Sequence, residues 1–162
     1  MSKRAGDENT VETLRVRIRS VFPDVVFLGQ ITPADKETGE DFDDERTLHA
    51  ALHGKRWSEI PASFLSPSSY SIPLLTEEAF EAFLPAWLSR ALDDGEVRRA
   101  VVYAFSPKQR EGSQSFMDCR IRRLSGPQRD AIRELMAHFI AVETSKFVQE
   151  HARRALEYIS AF

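Results

Sequence analysis

The sequence predicts a mostly α-helical, single-domain bundle of about five to seven helices, and three observations carry that prediction. Apolar residues recur at spacings of three and four in several separate windows, the repeat of one helix face. Proline and glycine gather between those windows, with Pro85 as the exception. The 162 residues are 42% hydrophobic and 29% charged, the balance of a globular chain and not of a disordered one. At this length one core can form without metal or disulfide staples.

The first helix is expected to start at Asn9 or Thr10, either of which can cap the amides of a first turn, leaving residues 1–8 disordered. Val11, Leu14, Ile18 and Val21 form its stripe, and Pro23 ends it. Residues 25–28 are a short apolar run that reads as strand or as buried connector. Residues 35–45 are an acidic, exposed loop. A helix over residues 43–53 follows, with acids at its positive end and Gly54 as its stop. Residues 9–54 thus form an N-terminal unit of helices and acidic loop. Pro61 opens a short turn carrying Phe64 and Leu65, and residues 66–73 form a loop.

Thr76 caps a central helix whose wide apolar face holds Phe80, Phe83, Leu84, Trp87, Leu88, Ala91 and Leu92. Pro85 removes a main-chain donor and should kink or break it. Residues 97–105 suit a strand by propensity and a helix by spacing, with helix preferred; one or two short strands are therefore left open. Residues 106–115 read as a polar loop. Ser125 and Gln128 make a capping box with Pro127 in the first turn, opening a helix with Ile132, Leu135, Met136, Phe139 and Ile140 on one face. A last stretch presents Phe147, Val148, His151, Ala152, Ala155, Leu156 and Ile159. No glycine or proline separates these two, so one long helix and two joined near residues 142–145 are both open.

The formal net charge is −3, but it is unevenly spread. Residues 34–97 carry 14 acids and 5 bases, a net of −9, and residues 98–133 carry 3 acids and 9 bases, a net of +6. Adjoining parts of one small domain must touch, so internal complementarity is the preferred reading over steering of an outside partner. Mild acidity and the lack of a glycine-aromatic signature argue against nucleic acid. No apolar run reaches the roughly 18 residues of a membrane span. The start is not that of a secretory signal. Cys119 is the sole cysteine, which fits a reducing, cytoplasmic setting.

Candidate chemistry is sparse. Glu45, His49 and His53 lie at i, i+4 and i+8, one face on which two imidazoles and a carboxylate could hold zinc. The residue after His49 is Ala50 and not the glutamate of a zincin, so two surface histidines are the preferred reading and no cofactor or metal is expected. The acidic loop offers no register with the glycine and glutamate of a calcium-binding loop. Cys119 has arginines nearby, but Phe116, Met117 and Ile121 favour a small core residue. Serine-nucleophile, phosphate-loop and dinucleotide motifs are lacking. His138 and His151 read as core or boundary residues. Trp57, Tyr70, Phe83 and Trp87 could be interface anchors, but core is preferred for each.

Trp57, Ile60-Pro61, Leu75-Thr76-Glu77-Glu78-Ala79-Phe80 and Phe83-Leu84-Pro85-Ala86-Trp87-Leu88 resemble the W-x-x-I-P segment and following helix of a family of small, uncharacterised bacterial proteins. Leu124-Ser125 with Gln128, and Ala152 with Ala155, Leu156 and Tyr158, look like its C-terminal pattern. The resemblance spans roughly residues 55–160. It implies a small, cytoplasmic, largely helical bacterial protein and brings no catalytic residue.

The functional expectation is a non-enzymatic domain that binds another protein, as the immunity partner of a toxin. Asp41, Asp43, Asp44 and Glu45 would steer a basic partner, with Trp57 as anchor. The alternatives are a metal-dependent hydrolase using Glu45, His49 and His53, and a homo-oligomer subunit burying the Phe83/Trp87 face.

Overall fold

The computed structural model describes residues 2–33, 42–106 and 113–162, with side chains for 6–33, 44–106 and 117–162. Its helices are α1 (Ser2–Val21), α2 (Phe42–Leu52), α3 (Ala62–Leu65), α4 (Glu77–Ala91), α5 (Gly95–Phe105), α6 (Ser113–Arg123), α7 (Gly126–Val142) and α8 (Lys146–Ser160), with 3-10 turns at Trp57–Glu59 and Ser69–Leu74. Seven of these helices exceed a single turn, and no strand occurs among the described residues. The all-α, one-domain class therefore stands, and residues 97–105 are helix.

Five helices close a ring. α4 packs on α5, α5 on α8, α8 on α7, α7 on α1, and α1 back on α4. α4 also meets α3, α6 and both 3-10 turns, which is why its face is so broad. Phe80, Phe83, Leu84, Trp87 and Leu88 are all fully buried. Trp87 satisfies its indole by donating Nε1–H to the Leu65 carbonyl at 3.2 Å, as a buried tryptophan requires.

Local chemistry sets the ends. Thr76 Oγ1 accepts from Ala79 N at 3.1 Å, and Asp94 Oδ1 accepts from Glu96 N and Val97 N. The Ser125–Gln128 box is reciprocal, with distances of 3.2 and 2.9 Å. Gln128 then reaches across to donate to the Val21 carbonyl at 3.1 Å, covering the end of α1 from α7. Gly54 closes α2 with φ +74°, a backbone state that side chains disfavour.

Two boundary expectations change and two open alternatives close. α1 begins at Ser2, not at Asn9 or Thr10, so residues expected to be disordered are helical. Asn9 and Thr10 are mid-helix, and Thr10 donates its hydroxyl to the Gly6 carbonyl instead of capping a first turn. α4 runs unbroken through Pro85. Pro85 is itself buried, and the packing on every side of α4 outweighs the one lost main-chain bond. Residues 113–123 form α6 in place of the end of a polar loop; residues 107–112 lie outside the described residues. α7 and α8 are separate because side chains bind the backbone at the turn. Glu143 Oε1 accepts from Thr144 N and Ser145 N, and Ser145 Oγ accepts from Val148 N.

Residues 25–28 are a connector without regular structure, not a strand. Phe27 alone turns inward, exchanging main-chain bonds with Lys55 and Gly54 and meeting Phe83 edge-on at 5.5 Å. Val25, Val26 and Leu28 are exposed.

Candidate functional site

The 3-10 turn at Ser69–Leu74 lies against α5, and between them opens a groove of about 500 Å3 that Phe147 of α8 also lines. Arg99, Ala100, Tyr103 and Ala104 supply the α5 wall, and Tyr70 and Pro73 the opposite one. Their spacing on α5 places all four on one face. Tyr70 is 59% exposed and Phe147 53%.

Tyr103, Phe147 and His151 form a three-ring cluster, with centroids 4.5 to 5.6 Å apart. Burial among these rings pushes the His151 imidazole below its ordinary pKa, and nearby Arg154 adds to the shift. His151 Nδ1 lies 3.0 Å from Ser106 Oγ, the spacing of a nucleophile and its base. Its surroundings argue against that chemistry. Ser106 caps the C-terminal end of α5, where exposed carbonyls make the potential negative and oppose an oxyanion. Its own N–H is committed to the Val102 and Tyr103 carbonyls. The pair is a tie between α5 and α8.

The residues singled out from sequence are dispersed. Trp57 is 7% exposed and Glu45 8%, so neither presents itself as a surface anchor or a steering charge. Asp44 is exposed. Asp41 lies outside the described residues, as does the side chain of Asp43. His49 and His53 are exposed and stacked at 4.8 Å. No group of three His, Cys, Asp or Glu able to hold a metal ion occurs among the described residues. Phe83 and Trp87 are fully buried within one chain, which removes them as a subunit-contact face. Cys119 is exposed, contrary to the core reading, because Met117, Arg120 and Ile121 take the inward positions of α6.

Tyr70 is the aromatic for which the core reading fails. Phe147 had a signal in sequence. The buried stripe of α8 is Val148, Ala152, Ala155 and Ile159, and Phe147 with His151 is offset from it by one residue. Opposite charge does meet within the molecule: Arg123 pairs with Glu81 at 3.1 Å where α6 packs on α4.

No helix among the described residues is long and apolar enough to cross a membrane. Comparisons of the chain with protein-family models, curated proteins and solved structures give no match.

Proposed function

We propose that this chain is a protein-binding domain that docks its partner in the Tyr70–Tyr103–Phe147 groove. The observation that carries this reading is the pair of exposed aromatic rings flanking a groove with one cationic rim residue, Arg99. Tyrosine and arginine are the residue types that concentrate binding energy at interfaces. Phe147, held against Tyr103 and His151, loses little conformational freedom on docking. The partner class we favour is a bacterial toxin neutralised in the cytoplasm, with the chain as its immunity protein. The resemblance to small bacterial proteins and the acids of residues 35–45, which would steer a basic partner, support it.

The test is binding of the product of the adjacent gene by Tyr70→Ala/Phe147→Ala protein. Both rings are half exposed, but Phe147 also packs on Tyr103 and His151, so stability should fall by about 1–2 kcal/mol. Affinity should fall by about 2 kcal/mol, near thirtyfold, and protection of cells from that product should be lost. Unchanged affinity in a folded double variant would remove the groove from the interface.

A further inference from the structure

Between α1, the Trp57 turn and α4 lie two adjoining cavities of about 450 and 200 Å3 that share Arg15, Trp57, Ser58 and Ser89. Arg19 and Asp24 complete the larger cavity. Ile60, Leu65 and Ala86 give the smaller one an apolar wall. The combined size is that of a metabolite site.

The polar groups here are mostly donors. Asp24 is already engaged, accepting from Ser58 Oγ at 2.5 Å and from Ser58 N at 3.3 Å. Arg15 pairs with Asp93 and Glu12, while exposed Arg19 has no ion pair among the described residues. The two tryptophans differ. Trp87 donates its indole hydrogen to Leu65, but Trp57 Nε1, equally sequestered, has no acceptor. A buried donor left without a partner is costly, and a small turn of the Trp57 ring toward the cavity it lines would let an arriving oxygen atom remove that cost.

We infer that this seam binds a small organic carboxylate with an apolar body, its oxyanion held by Arg19, Arg15 and the Trp57 indole N–H and its body against Ile60, Leu65 and Ala86. The inference is independent of the groove and uses none of its residues.

Titration of 15N-labelled protein with benzoate tests it, read at the two indole N–H resonances, with Trp57→Phe assigning them. The Trp57 resonance should move saturably while that of Trp87 stays fixed, and Arg19→Gln should weaken binding about tenfold without unfolding the chain. Acetate, which has only the head group, and inorganic phosphate should bind much more weakly than benzoate. Acetate or phosphate binding as well as benzoate would overturn the assignment of the apolar wall. A stationary Trp57 resonance, or equal movement of both, would overturn the site.

Discussion

Arg98 gathers more of the polar framework than its place on α5 suggests. Its guanidinium donates to the Ala91 and Leu92 carbonyls at 3.2 and 3.4 Å, closing the end of α4. It also pairs with Glu143 at 3.0 Å and lies over the Phe139 ring at 5.3 Å. Replacing it with methionine keeps the stem against Phe139 and removes every donor. Since hydrogen bonds to charged groups each contribute about 1.5–3 kcal/mol, Arg98→Met should lower unfolding free energy in urea by about 2–4 kcal/mol. A loss under 1 kcal/mol, by that same scale, would mean that solvent replaces the clamp. The capping box offers a smaller, cleaner case: Ser125→Ala should cost about 1 kcal/mol, detectable as a shifted denaturation midpoint at constant slope.

Among the elements, those legible in sequence were the ones whose signals are local. Thr76, Gly54 and the Ser125–Gln128 box act within a turn of themselves, and each marks the boundary it promised. The face of α4 was legible because five of its aromatic and aliphatic residues repeat at helical spacing. Its continuity through Pro85 was not, because that depends on neighbours from both halves of the chain. The α7–α8 break was equally hidden, since it rests on Glu143 and Ser145 binding the backbone and on Gln149 Nε2 donating to the Glu143 carbonyl at 2.6 Å. The resembling motif residues Trp57, Ile60, Leu75, Phe80, Phe83 and Trp87 are all buried, so that pattern encodes packing and is silent on chemistry. The groove was missed at Tyr70, whose exposure is set by which side of its turn faces the ring of helices, although the offset of Phe147 from the buried stripe of α8 was there to be read. Glu143→Ala/Ser145→Ala should lower stability by about 1–3 kcal/mol while circular dichroism shows helix content held or raised. A fall in helicity would contradict the account of the break.

For the molecule as a whole, acid should act in two stages. Burial holds His138 and His151 below their ordinary pKa, with Arg98 and Arg154 respectively adding to the shift. The unfolded chain therefore binds their protons first, and stability should fall as pH drops below about 6.5. Asp94 is depressed by the Ser66 hydroxyl above all. Glu143 is pushed up by burial, but hydrogen bonds from Arg98 and Ser145 more than offset this and leave it depressed. Their contributions are complete above the ordinary carboxylate range near 4 and vanish as pH falls through the folded values. Urea midpoints measured between pH 8 and 3 should show both declines, and His138→Gln/His151→Gln should flatten only the first. A midpoint constant from pH 7 to 5 in the parent protein would contradict the first stage.

The central position of α4 has one more consequence. Its shields come from residues before 75 and after 95 alike, so neither half of the chain holds a full set. A fragment ending after α4, or one starting at it, would leave bulky rings uncovered and should clump in isolation. Mixing two complementary pieces should restore a soluble, folded particle where each piece alone precipitates.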